Sequence, residues 1–121
     1  SVIEECIYIH RNLGPGLFET VYEEILAHRL EKKGVTVERQ KAIPVVFEDI
    51  RMEQGFRADL IINRKVLIEI KSVEGIHTVF QKQVVTYLRL TGLQIGLLIN
   101  FNVPKLVDGI SRIANNYADE N

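Results

Sequence analysis

The sequence predicts an α/β domain, with a β-sheet of mixed strand direction flanked by helices. Apolar residues recur at spacings of three and four over the first thirty positions, β-branched runs fill the middle, and one more helical period lies between apolar runs near the end. The chain has 121 residues, 46% hydrophobic and 26% charged, enough to bury one core and too few for a second lobe. Residues 1–121 are therefore read as a single domain. The same balance excludes both a disordered segment and a membrane protein.

Val2, Ile3, Cys6, Ile7, Ile9 and Leu13 mark an amphipathic helix over Val2 to Asn12, which Gly14 closes. Pro15 and Gly16 break the pattern. Leu17, Val21, Ile25, Leu26 and Leu30 then define a second helix that runs to Lys33 and stops at Gly34. Three short strands follow: Val35 to Arg39, Ala42 to Phe47 and Ile50 to Met52, with Glu48-Asp49 as the turn between the last two. Phe56 to Ile62 and Val66 to Lys71 read as stronger strands joined by Asn63-Arg64-Lys65. A third helix extends from about His77 to Leu90 with Gly92 as its stop, and Ile95 to Asn100 is a buried strand. Pro104 to Asp108 reads as one helical turn, Ile110 to Ile113 as a last strand, and Asn115 to Asn121 as a fraying end.

Cys6 is the only cysteine, which rules out an intramolecular disulfide or a thiolate zinc cluster and fits a reducing compartment, read as the cytoplasm. On the first helix it reads as a buried structural thiol. The longest apolar runs, such as Ile95 to Ile99, fall far short of the roughly 20 residues that span a bilayer. The opening Ser1-Val2-Ile3-Glu4-Glu5 carries acid where an export signal carries base, so no export is expected. A net charge of −1 gives no long-range attraction to nucleic acid, and phosphate binding must come from local arrangement.

Three charged residues stand where apolar strands have little use for them: Asp59 in Arg57-Ala58-Asp59-Leu60-Ile61-Ile62, and Glu69 and Lys71 in Val66-Leu67-Ile68-Glu69-Ile70-Lys71. Strand alternation puts Glu69 and Lys71 on one face and Ile68 and Ile70 on the other. With Asn63, Arg64 and Lys65 as a three-residue loop, Ile62 pairs with Val66, Leu60 with Ile68, and Asp59 lies opposite Glu69. A two-residue loop breaks both the apolar pairing and the acid pair. Adjacent carboxylates repel unless a proton or a cation sits between them. Hard oxygen donors without thiolate or paired imidazole select Mg²⁺, with Mn²⁺ able to substitute, and Mg²⁺ keeps several of its waters. One such water can serve as nucleophile, and the Lys71 ammonium can orient it and stabilise charge developing on a phosphate.

Asp59, followed after nine residues by Glu69-Ile70-Lys71, resembles the D…(D/E)xK core of the PD-(D/E)XK nuclease superfamily. Gln83-Val84-Val85-Thr86-Tyr87 resembles the QxxxY motif of its RecB-like branch, and Gly16-Leu17-Phe18-Glu19-Thr20-Val21-Tyr22 resembles the signature of the small GxxExxY family. The likeness covers about Leu13 to Ile113. It implies a restriction-endonuclease-like core and a Mg²⁺-dependent nuclease that hydrolyses phosphodiester bonds in nucleic acid, expected to be DNA. Carried over by position, it implies Glu19, Asp59, Glu69 and the Ile70 carbonyl as metal ligands. It also implies Lys71 as the catalytic lysine, Gln83 reaching the site from the following helix, and Tyr22 and Tyr87 near the substrate. Ala58 stands where the superfamily's name has Pro.

Two other readings remain open on the residues alone: a non-catalytic module of the same fold that binds nucleic acid or a protein, and a hydrolase of small phosphorylated compounds. Near-neutral charge implies a weak binder, or a subunit whose second copy or larger complex supplies the rest of a groove. Gly14-Pro15-Gly16 reads as an interhelical turn, since no GxxxxGK[ST] or GxGxxG follows. His10, His28 and His77 have no ligand spacing.

Overall fold

The computed structural model describes residues 1–115 of the chain. Helix α1 (Val2–Leu13) starts on Ser1, whose Oγ accepts from the Glu4 amide, and ends at Gly14 with φ 79°, a left-handed turn that glycine adopts without strain. Helix α2 (Glu19–Lys32) follows the Gly14–Phe18 turn. One edge of α1 is tied to α2 through buried Glu5, which pairs with Arg29 at 2.7 Å and with Lys33. Those cations hold the Glu5 carboxyl below the usual range despite its burial. Cys6 is fully buried beside it, and burial pushes its thiol up to about 12, so it is an inert core residue.

The sheet has five strands in chain order: β1 (Val37–Phe47), β2 (Ile50–Ile62), β3 (Val66–Lys71), β4 (Ile95–Asn100) and β5 (Ile110–Ala114). Neighbours are antiparallel except β3 and β4, which run parallel and are joined by helix α3 (Thr78–Thr91). A short 3₁₀ turn at Leu106–Gly109 leads into β5. The three-residue loop is as predicted: Asn63 and Arg64 take positive φ, and the register is Ile62↔Val66, Ile61↔Leu67, Leu60↔Ile68.

Two corrections concern regular structure. The expected short strands from Val35 to Met52, and the strand from Phe56, are two long ones, β1 of 11 residues and β2 of 13. The pairing survives a left-handed Gln40 at φ 47° and a register shift between Ile43 and Val45 that leaves residues 53–55 of β2 outside the ladder, and 40–41 and 53–55 are the two gaps between the expected strands. Asn115 does not fray. It is buried, its amide donates to the Leu88 and Leu93 carbonyls at 3.0 and 2.9 Å, and its N–H donates to the Gln94 carbonyl. The rest of that expected fraying end, 116–121, lies outside the described residues.

Each face of the sheet has its own core. Leu60, Ile62, Ile68, Ile70, Leu97 and Ile99 pack with Cys6, Ile9, Tyr22, Leu26 and Leu30 of α1 and α2. On the other side Ile61, Leu67 and Leu98 pack with Val84 and Leu88 of α3. Helix α3 lies close to the sheet because residue 96 is glycine: a Cβ there would fall 2.6 Å from Val84 Cγ1 and 3.3 Å from Leu88 Cδ1.

Candidate active site

Glu69 and Lys71 project from β3 on the same side as Leu67, and therefore toward α3. Asp59 sits one residue beyond the last paired position of β2 and β3, where alternation slips. Leu60 packs toward α1 and α2, but Ala58, two residues away, packs toward α3. Asp59 and Glu69 are locked through the backbone as well as by charge. Asp59 Oδ2 accepts from the Ile70 N–H at 2.8 Å, and the Asp59 N–H donates to Glu69 Oε1 at 3.3 Å.

Glu69 is 7% exposed, and its carboxyl is raised to about 8, first by burial and then by the adjacent Asp59 charge, with Lys71 pulling the other way. Burial and the neighbouring charge thus favour a proton on Glu69 where no cation offsets them. The Lys71 ammonium stands 4.6 Å from the centre of the Phe80 ring, a cation–π contact that holds it at the start of α3. Tyr87, one face of α3 away, stacks on Phe56 with ring centres 3.9 Å apart. Its phenol is raised by partial burial and by the Glu69 and Asp59 charges, which places it within electrostatic reach of the pair. Gln83 is exposed on the preceding turn of α3.

The other expected residues fall differently. Glu19 lies at the start of α2, where its carboxylate accepts from the Ser72 N–H at 3.4 Å, just past the end of β3. Among the described residues no third His, Cys, Asp or Glu closes on Asp59 and Glu69 to make a cluster. Tyr22 is fully buried. Its ring stacks on Phe101, and its hydroxyl donates to the Gly14 carbonyl and accepts from the Leu17 N–H. It supports the turn from beneath and has no surface for a substrate. Around that turn Gly16, Leu17, Phe18, Glu19, Ser72 and Asn102 line a cleft of about 500 Å³. Its floor is fixed by Asn100, whose amide group bonds Val73 and Asn102 backbone atoms, and by Ser72 Oγ donating to the Leu17 carbonyl.

Two residues at the site were not expected from sequence. Glu23, buried on α2, pairs with Arg39 at 3.2 Å and accepts from Gln40 Nε2 at 2.7 Å, and the same Nε2 is 3.2 Å from Asp59 Oδ1. The sequence signal for Glu23 was available, since it follows Glu19 by one helical turn and shares its face. Gln40 had none, because it falls in the gap between two expected strands.

A family model for the PD-(D/E)XK nuclease superfamily matches residues 1–113. The chain belongs to that superfamily. Comparison with curated proteins and with solved structures gave no match. PD-(D/E)XK nucleases typically use divalent metals, and the donor set here fits such an ion. Asp59 and Glu69 are hard oxygen donors whose mutual repulsion raises Glu69, and a cation replacing the shared proton relieves it. With only two carboxylates in place, an ion held there keeps most of its shell as water. The mixed five-stranded sheet between helices is the restriction-endonuclease-like architecture expected of this superfamily, and superfamily membership points to nuclease activity on nucleic acid.

Proposed function

We propose that this PD-(D/E)XK protein is a Mg²⁺-dependent nuclease of the GxxExxY type within the RecB-like branch, working on DNA in the cytoplasm, with Mn²⁺ able to replace Mg²⁺. The observation that carries the reading is the Asp59–Glu69 pair, bonded through the Ile70 and Asp59 amides, with the half-buried Lys71 on the same strand face.

A bound Mg²⁺ supplies Lewis acidity and a water of lowered pKa. Asp59 and Glu69 would hold the ion, with Glu69 in its ionised form. Lys71 holds its ammonium where negative charge grows on the scissile phosphate, and it orients the attacking water. Gln83, exposed on α3 one turn before Tyr87, contacts the phosphate or the water, and Tyr87 lines the same side. Glu19 acts from the cleft at the start of α2, through water. Phe18, 82% exposed at that cleft, offers a ring face on which a base can stack, consistent with a nucleic-acid substrate. The near-neutral chain leaves room for a second copy or a larger complex to complete the groove.

The test is cleavage of linear, circular and single-stranded DNA, with RNA alongside, in Mg²⁺ and in Mn²⁺. Asp59→Ala, Glu69→Ala and Lys71→Ala are expected to abolish turnover while circular dichroism stays unchanged. Binding that survives all three substitutions, with no turnover in either metal, would move the reading to a non-catalytic module.

A further inference from the structure

Gln40 combines features that ordinary strand packing does not explain. It lies between Arg39↔Leu60 and Lys41↔Ala58 in the β1–β2 register, directly across from Asp59. Its φ of 47° is left-handed, a conformation that costs a residue with a long side chain and that persists where surrounding structure enforces it. The twist brings one amide nitrogen within reach of two carboxylates, Glu23 Oε1 at 2.7 Å and Asp59 Oδ1 at 3.2 Å. Glu23 is buried and held by Arg39, so it is a fixed anchor. Asp59 Oδ2 is taken by the Ile70 N–H, so the Gln40 amide reaches the oxygen that remains.

We propose that Gln40 is a positioning residue for Asp59. Its amide, anchored on Glu23, fixes the rotation of the Asp59 carboxylate and so presents the acid pair ready-made to an incoming divalent cation. The inference rests on the metal-dependent reading above and extends it to β1 and to Glu23 on α2, residues outside the sequence motifs. One NH₂ group serves both carboxylates, which a hydroxyl with its single donor cannot do, and a shorter amide has the donors without the same reach. Partners behind a metal ligand commonly change affinity or activity 10- to 100-fold when removed.

Stability and function should therefore move apart. Gln40→Gly relieves the backbone strain and deletes the amide, and it is expected to melt at or above the wild-type temperature. Its affinity for Mn²⁺ by calorimetry is expected to fall about tenfold, and kcat on DNA to fall similarly with KM little changed. Gln40→Asn keeps an amide and tolerates the left-handed backbone but is one methylene short, so it should share the loss. A metal-free readout accompanies these: the Gln40 side-chain amide signal, assigned in an ¹⁵N spectrum by its loss in Gln40→Gly, should shift in Asp59→Ala. Wild-type metal affinity and kcat in Gln40→Gly and Gln40→Asn, or an amide signal indifferent to Asp59→Ala, overturns the proposal. Wild-type protein that takes up no ion overturns the metal reading and the positioning role with it, and the amide shift then reports only whether the bridge exists.

Discussion

Strand β2 passes through two environments, and the acid pair sits at the border between them. From Ile50 to Arg57 it forms, with Val45 to Phe47 of β1, an arm that leaves Phe47, Ile50 and Met52 at 67%, 59% and 49% exposure. From Ala58 to Ile62 every residue except Asp59 is buried between α1, α2 and α3. The backbone is the same, and the fate of a carboxylate differs. On the arm Glu53 is fully solvated and paired with Arg51, which holds its carboxyl below the usual range. Next to the inner half Glu69 is stripped of water and pushed up to about 8. A strand-borne acid becomes chemically useful when its neighbours remove its solvent and set a second acid beside it.

That contrast is open to direct attack. The largest expected effect is on turnover: Lys71→Ala should lower single-turnover cleavage by about 10³-fold, the scale of a lost catalytic group, while Arg51→Ala on the arm leaves it within twofold. Next comes stability. Leu60→Ala or Leu98→Ala, each at a fully buried position, should cost about 3 kcal/mol in urea unfolding, whereas Phe47→Ala should stay within about 0.5 kcal/mol.

A smaller effect is set by pH. Because folding raises the Glu69 pKa, the native state holds the proton that the unfolded state releases. In EDTA, stability should therefore fall as pH rises from about 4.5 to about 8, by at most a few kcal/mol. Glu69→Gln should flatten that slope and Glu53→Gln should not. A flat wild-type profile would show that the pair is not a proton-sharing site. The smallest effect is local: Phe56→Leu removes the ring under Tyr87 and should shift the Tyr87 phenol titration without changing the fold, as read by ultraviolet difference spectra.

Much of this was legible in the sequence where pattern and chemistry coincide. The apolar pairing of Ile62 with Val66 and Leu60 with Ile68 fixed the loop length and put Asp59 beside Glu69. The stretches that misled are those where tertiary structure overrides local signals. Gln40 and the stretch 53–55 read as breaks between strands, but the antiparallel ladder carries across both. Tyr22 and Glu19 come from one motif yet part company. A spacing of three puts Tyr22 inward, under Phe101, and leaves Glu19 at the rim beside Ser72. The link from Glu23 through Gln40 to Asp59 joins an α2 residue to two strands, and no local window spans those positions.

Gly96 never touches the acids, yet it acts as a shim under α3. Val84 and Leu88 rest on it, so the missing methyl group sets how closely α3 seats on the sheet that carries Asp59 and Glu69, and Gln83 and Tyr87 each precede one of those two contact residues. Gly96→Ala would push Val84 and Leu88 outward and lift Gln83 and Tyr87 with them, making residue 96 a dial for the height of α3, adjustable without touching either acid.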